Sequence, residues 1–371
     1  MAERVTDFLR AGKAFSSLLM ARIRKAYIPW YAFILITERC NLRCKYCFVN
    51  DPDRQANRTG KNKEWSTEET FRVIDELYSL GTRCLNIQGG EPLLRDDLEA
   101  IVEYANYKGM LTDIFTNGLL IHRQLKALKK FFRVSLSLEG DEGAHDRDRG
   151  AGTYKKMIEN IRLLHENDIR FWINYTVSRN NANMTSFRHV LDIAQKYDSV
   201  VMLGEAVYKF DPSCRESQVS AQQLKKFWAG VRELKLQGYP IQKPLKSIDL
   251  CIETADTISG EDLYRKGDPL PGGRKITPCA MGRYWVFLDV DGTLYPCSNL
   301  FNKIGENIFE LGAAEAWNRL SRNLDCLACR GSISCGINDF LAFDAESLIE
   351  AARQFFQKPS KRLLGNITPG G

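Results

Sequence analysis

Cys40, Cys44 and Cys47 place three thiols within eight residues, spaced Cys-x3-Cys-x2-Cys, directly after an apolar run. Thiolates at that spacing can hold three irons of a cubane iron–sulfur cluster and leave the fourth iron without a protein ligand. An open iron is a place where a further molecule binds and reacts. A zinc site wants four ligands, and this stretch offers no nearby fourth Cys or His. Five more cysteines, Cys279, Cys297, Cys326, Cys329 and Cys335, lie near the other end, while Cys84, Cys214 and Cys251 stand alone. The first residues break their apolar run with Arg10 and Lys13, so no secretory signal is expected and a cytoplasmic location is. Thiols stay reduced there, and eleven cysteines then read as metal ligands in two centres rather than as a disulfide framework.

Something must hold those thiols in place. Tyr31–Thr37 reads as a buried strand, and a helix follows from Ser66 to Leu80, where Ser66 and Glu69 form a capping box. Strands at 84–88, 111–116, 133–138, 170–177 and 200–207 then alternate with helices at 96–108, 121–130, 154–167 and 186–196. Six strands with helices between them imply right-handed crossovers and a parallel sheet buried on both faces, with ligands at the carboxyl ends of the strands. A helix at 220–236 closes the series. The Pro- and Gly-rich stretch 238–278 reads as a linker or lid, and Trp285–Cys297 as a hairpin turning at Asp291-Gly292, with a last helix near 345–357. Composition agrees: 44% hydrophobic and 26% charged residues describe a globular chain, with no apolar run long enough to span a bilayer.

Further motifs stand in order along those strands. Gln88-Gly89-Gly90-Glu91-Pro92 follows the second strand, Thr116-Asn117-Gly118 the third, and Ser135–Gly150, SLSLEGDEGAHDRDRG, the fourth. With the cysteine loop, its aromatic Tyr46, and Asn174 and Thr176 on the fifth strand, this set resembles the radical SAM superfamily. The resemblance implies a partial (β/α)6 parallel barrel and a [4Fe-4S] cluster whose open iron binds S-adenosylmethionine. Reductive cleavage of that cofactor would yield methionine and a 5′-deoxyadenosyl radical that abstracts a substrate hydrogen. Catalysis would then rest on Cys40, Cys44 and Cys47. Cofactor contacts would come from Tyr46 at the adenine, Gly89, Gly90 and Glu91 near the methionyl amino group, and Ser137 and Arg149 at the carboxylate. Asn117, Glu139 and Asn174 would line the same site, Glu139 standing where that family usually has Asp.

The rear cysteines resemble the SPASM extension of a subset of that superfamily, which implies a small C-terminal domain carrying one or two auxiliary iron–sulfur clusters on Cys279, Cys297, Cys326, Cys329 and Cys335. Zinc is the alternative. The pattern departs from a full SPASM domain, since Asp339 occupies the next cysteine position and no cysteine follows. Either one complete cluster in the shortened twitch form, or two with Asp339 as ligand or an open iron, fits the count.

Residues 1–30 carry Arg4, Arg10, Lys13, Arg22, Arg24 and Lys25 against Glu3 and Asp7, a net +4. Apolar residues recur there at helical spacing, which predicts a basic amphipathic helix that packs on the barrel or contacts a membrane surface through residues 1–25. The expected organisation is therefore that helix (1–30), the barrel (31–237), the linker or lid (238–278) and the SPASM/twitch-like part (279–371). The expected activity is oxidative modification of a peptide or protein side chain or of a cofactor precursor. One alternative is modification of a lipid, isoprenoid or tetrapyrrole at the inner membrane face, and another is a non-catalytic iron–sulfur or zinc protein. Flavodoxin or ferredoxin is the expected reductant, and no nucleic acid is expected as a partner.

Overall fold

Tyr31–Leu35 forms a strand buried at every residue, an environment found only where a sheet is covered on both faces. The structure is a computed structural model and describes residues 2–47, 49, 64–206, 219–256, 263–269, 278–301, 303–329, 337–341, 348–349 and 352. In chain order the first elements are α1 (Ala2–Ile23), β1 (Tyr31–Leu35), α2 (Thr67–Ser79), β2 (Cys84–Gln88), α3 (Leu98–Tyr107), β3 (Leu111–Thr116), α4 (Leu125–Leu128) and β4 (Arg133–Ser137). They continue with α5 (Glu142–Arg149), α6 (Thr153–Glu166), β5 (Phe171–Val177), α7 (Met184–Lys196), β6 (Val201–Glu205), α8 (Ala221–Leu236) and α9 (Leu245–Glu253). The rear part adds β7 (Leu263–Arg265), β8 (Trp285–Leu288), β9 (Thr293–Tyr295), β10 (Glu306–Asn307), α10 (Ile308–Leu311), α11 (Ala313–Arg322), β11 (Cys326–Cys329) and α12 (Ile337–Leu341).

Strands β1 to β6 pair in chain order and in parallel, which is the expected six-stranded partial barrel. The capping box at Ser66 and Glu69 is formed from both sides. Two helical readings change. Residues 121–130 split into a 3₁₀ turn at Ile121–Arg123 and the single turn of α4. An additional helix, α5, occupies part of the polar segment after β4, a stretch with almost no apolar residues to signal it.

The expected hairpin is present as β8 and β9, with Gly292 at φ +86° and the Asp291 carboxylate accepting from the Thr293 amide at 2.9 Å. Its place differs from that of a separate appendage. Strand β8 lies parallel to β1, so β10, β9 and β8 extend the barrel sheet on its open side. Register sets Tyr31 against Trp285 and Phe33 against Phe287, with ring centroids 4.8 and 4.6 Å apart. The stretch read as linker or lid contains α9, which buries Ile248 and Cys251 in the same core as Phe227 and Trp228 of α8. Cys251 is thus a core residue, as is Cys84 on β2. Cys214, and all but three residues of the expected last helix, lie outside the described residues. Among the described residues no helix is long and apolar enough to cross a membrane.

Candidate functional site

Beyond β1 the chain runs across the end of β2, and the two segments lock backbone to backbone. The amide of Gly90 donates to Thr37 O and that of Glu91 to Arg39 O, both at 2.7 Å. A Cβ on Gly89 would stand 2.6 Å from Thr37 O, and one on Gly90 would collide with the carbonyls of Glu38 and Arg39. The glycine pair therefore makes room for the loop that carries Cys40, besides lining the cleft.

That cleft, of about 110 Å³, is lined by Cys40, Cys44 and Cys47. Opposite them stand Gln88, Gly89, Gly90, Phe115, Thr116, Asn117, Ser137 and Arg149 from the ends of β2, β3 and β4 and from α5. Donors approach the sulfurs: the Leu42 amide to Cys40 Sγ at 3.4 Å, Asn117 Nδ2 to Cys40 Sγ at 3.9 Å and Arg149 Nη1 to Cys44 Sγ at 3.7 Å. Asn117 Nδ2 also donates to Asn41 Oδ1 at 2.8 Å. Burial pushes the Cys44 thiol up to about 11, with Arg149 pulling the other way. Such a thiol gives up its proton on binding metal, and the nearby donors then stabilise the thiolate. Three sulfurs lining one cleft, with no fourth Cys or His in its lining among the described residues, fit a cluster with one open iron.

Behind the cleft wall lies a buried network. Glu139 is fully buried, and its Oε1 accepts from Tyr46 Oη at 2.7 Å and from Arg149 Nε and Nη2 at 3.1 and 2.6 Å, while Oε2 accepts from the Thr176 amide at 2.7 Å. Burial raises the Glu139 carboxyl above its ordinary value against the pull of Arg149, and it pulls on the Arg149 guanidinium too, whose pKa its anionic neighbours nonetheless hold well above normal. His145 Nδ1 accepts from the Glu139 amide at 3.1 Å, and burial drops that imidazole to about 3, so it is neutral. Glu91 is also fully buried and accepts from Thr116 Oγ1, Leu93 N and Asn117 N at 2.6, 3.0 and 2.8 Å; burial pushes it up to about 7.

Glu91 and Glu139, read from the sequence as cofactor contacts, stand behind the cleft lining, where Thr116, Leu93 and Asn117 donate to the first and Tyr46, Arg149 and Thr176 to the second. They brace Asn117 and Arg149, which do line it. Tyr46 likewise spends its hydroxyl on Glu139. Asn174 sits in register beside Ser137 and donates to Thr176 Oγ1 at 3.4 Å, outside the cleft lining. Sequence reading missed Gln88 and Phe115 as lining residues, and it missed Asp148, which fixes the strand end through Ser178 Oγ at 2.7 Å and Asn180. Asp148 lies within the Ser135–Gly150 motif, where its neighbour Arg149 was singled out instead.

The rear cysteines gather into a second group. Cys279, Cys297, Cys326 and Cys329 come from four separate positions around β8, β9 and β11, and every pair among them lies within electrostatic reach. Burial together with the neighbouring thiols pushes Cys297 up to about 12. Asn299 Nδ2 donates to Cys329 Sγ at 3.3 Å. Arg283 ties the group together, donating to the carbonyls of Cys279, Cys326 and Leu324 at 2.8, 3.2 and 3.3 Å. Cys335 and the side chain of Asp339 lie outside the described residues.

Residues 34–185 match the family model described as the radical SAM superfamily. That stretch of the chain is a radical SAM domain. Radical SAM relatives with curated names include the Fe-coproporphyrin III synthase of Methanosarcina barkeri, 34% identical over 185 residues, and the PqqA peptide cyclase of Granulibacter bethesdensis, 32% identical over 165 residues. These matches cover 47% and 43% of this chain and only 44% and 42% of the relatives, so the chain spans less than half of their length. Among solved structures, Streptococcus suis SuiB bound to the precursor peptide SuiA superposes with a TM-score of 0.61 at 16% identity, over 91% of this chain and 78% of that one. That likeness in fold covers far more of the chain than residues 34–185. Radical SAM domains use a [4Fe-4S] cluster and S-adenosylmethionine, and the three-cysteine cleft with its donors fits such a cluster.

Proposed function

We propose that this chain is a radical SAM enzyme that carries out a net oxidation of a peptide or protein side chain. The observation that carries the reading is the presence of two different cysteine groups: three thiols facing an open cleft, and a second group of four thiols around β8, β9 and β11, three of them buried. Bound in the cleft, the cluster and S-adenosylmethionine would supply one-electron reductive cleavage of the cofactor and, through it, removal of a hydrogen atom from substrate. Cys40, Cys44 and Cys47 would hold the cluster. Ser137 presents a hydroxyl, and Arg149 the positive charge of a guanidinium whose Nε and Nη2 are held by Glu139, both suited to the carboxylate of the cofactor. Asn117 presents an amide beside Cys40, and Gly89-Gly90 keep the wall low enough for a ligand to reach the backbone.

Four cysteines give an auxiliary iron–sulfur cluster with every iron ligated by protein, as in the twitch form. A closed cluster relays electrons and does not bind substrate, which suits a reaction that removes an electron from a substrate radical. The match in fold to SuiB with its precursor peptide supports a peptide substrate. Cys335 and Asp339 remain proposed ligands only for a further iron. Flavodoxin or ferredoxin is the proposed reductant, and the cytoplasm the proposed location.

A second reading, modification of an apolar small molecule such as a lipid, isoprenoid or tetrapyrrole, is favoured by the likeness to Fe-coproporphyrin III synthase and by the apolar exposed side of α1. Deuterium transfer from labelled candidate substrates into 5′-deoxyadenosine decides between the two. Protein that purifies with zinc, and forms no 5′-deoxyadenosine after anaerobic reconstitution and reduction, overturns both.

A further inference from the structure

Helix α1 buries one apolar face against the barrel and leaves Leu9, Leu19, Met20 and Ile23 exposed on the other. Ala14, Leu18 and Ala21 recur at i, i+4 and i+7, are 2%, 0% and 6% exposed, and pack into the aromatic core around Trp30, Tyr31 and Trp285. Trp30 Nε1 donates to Ala14 O at 2.7 Å and Arg10 Nη2 to Asn106 O at 3.0 Å, so the helix is pinned to the barrel along its length. The opposite side carries Leu9, Leu19, Met20 and Ile23, exposed to 58%, 40%, 43% and 65%. Leu19, Met20 and Ile23 are neighbours within one turn and form an exposed apolar cluster, with Leu9 on the same face about 15 Å along the helix.

Charge frames that patch. At 100° per residue, Lys13 and Arg24 fall along one edge of the stripe and Arg22 along the other. Lys25 follows just past the helix end. Arg22 lies over the Tyr284 ring at 5.4 Å, and Asp7 is paired with Arg10 at 3.4 Å, so the acid whose side chain is described on this helix is already neutralised. Among the described residues Lys13, Arg24 and Lys25 are exposed and make no ion pair. Cations on both margins of an apolar stripe are what an interfacial helix needs: the stripe enters the acyl boundary while the long basic side chains reach back to the headgroups.

We propose that α1 docks the enzyme on an anionic bilayer surface, with Leu9, Leu19, Met20 and Ile23 inserted and Lys13, Arg24 and Lys25 against lipid phosphates. The 22 residues of α1 form a rod about 33 Å long held parallel to the barrel wall, so the whole molecule lies on the surface in one orientation. This goes beyond the reaction assigned to the cleft and does not depend on it.

Flotation of the full-length, cluster-loaded protein with vesicles of phosphatidylcholine, with and without phosphatidylglycerol, tests the proposal. Wild type floats with the anionic vesicles and is released by salt. The triple variant Leu9→Ser/Leu19→Ser/Ile23→Ser loses at least about a hundred-fold in partition, since it removes the apolar anchor. Lys13→Gln/Arg24→Gln/Lys25→Gln loses partition on the order of a hundred-fold on anionic vesicles only. Circular dichroism and iron content unchanged from wild type show that the variants are folded. Wild type that stays with neither vesicle, or an apolar variant that floats as well as wild type, overturns the proposal. So does a variant that changes only the oligomeric state, which would give this face to a second copy of the chain.

Discussion

Arg149 forks onto a single oxygen of Glu139, with Nε and Nη2 at 3.1 and 2.6 Å from Oε1, and turns its remaining nitrogen toward Cys44 Sγ at 3.7 Å. A buried carboxylate thereby aims a guanidinium at the cluster loop. Glu139→Gln would keep the shape and remove the charge, leaving Arg149 buried without its partner. Loss of one member of a buried pair costs about 3 to 5 kcal/mol. The expected outcome is a lower guanidinium midpoint and weaker S-adenosylmethionine binding in reconstituted protein. Glu139→Asp, which keeps the charge on a shorter arm, recovers part of both. Equal binding by wild type and Glu139→Gln would show that Arg149 needs no counter-charge to hold its position.

The Gly90 contact with Glu38 and Arg39 predicts a defect of a different kind. Gly90→Ala places a methyl group against two carbonyls that belong to the cysteine loop, and neither is the end of a flexible side chain that could swing away. The loop has to shift, so iron uptake at the front cluster falls and visible cluster absorbance falls with it. Gly12→Ala, a helical glycine with nothing within 4 Å, is the control, with an expected gain of up to about 1 kcal/mol and unchanged iron. Equal iron in Gly90→Ala and wild type would contradict the argument.

Two buried groups give stability opposite slopes with pH. Glu91 is raised from 4.5 to about 7, so between those values the folded chain holds a proton that the unfolded chain has lost. Its stabilisation is therefore present at low pH and lost as pH rises through about 7, by up to about 3 kcal/mol. His145 is lowered from 6.5 to about 3, so the unfolded chain binds the extra proton and stability falls as pH drops below 6.5. Glu91→Gln removes the first slope and leaves the second. Urea unfolding of Glu91→Gln across pH 5 to 8 should show a larger loss toward acid than wild type; parallel curves would mean that Glu91 stays ionised.

How far these features could be read in advance depended on whether the information is local. Strands β1 to β6 announce themselves through short β-branched and aromatic runs bounded by breakers, and the Ser66 capping box is a four-residue signal. Helix α5 does not, because its sequence EGAHDRDR is polar and it is held by Asp141 and by buried His145 and Asp148 instead of by an apolar stripe. The hairpin of β8 and β9 was legible as a hairpin, yet its pairing with β1 joins residues some 250 apart and is decided by ring packing such as Phe33 on Phe287. The site shows the same division. Cys40, Cys44, Cys47, Asn117, Ser137 and Arg149 face the cleft as their motifs implied, whereas the withdrawal of Glu91 and Glu139 behind its wall follows from donors on other strands.

The rear thiols and Arg283 allow electron relay and cofactor cleavage to be separated. Cys326→Ser/Cys329→Ser removes two of four ligands from the second group and leaves the front loop intact, so roughly half the iron should be lost if each site holds one four-iron cluster. 5′-Deoxyadenosine still forms, but oxidised product does not. Arg283 poses a finer question, because its guanidinium both clamps three carbonyls and sets a positive charge that lowers the Cys326 pKa against the rise caused by burial. A nearby cation favours the more negative, reduced cluster, so Arg283→Gln should lower the midpoint potential by on the order of tens of millivolts. Arg283→Lys keeps the charge and loses the fork. If Lys restores the potential but not the thermal midpoint, the charge tunes the cluster and the fork holds the loop. If Lys and Gln shift the potential alike, the clamp on Cys279 and Cys326 governs it through geometry.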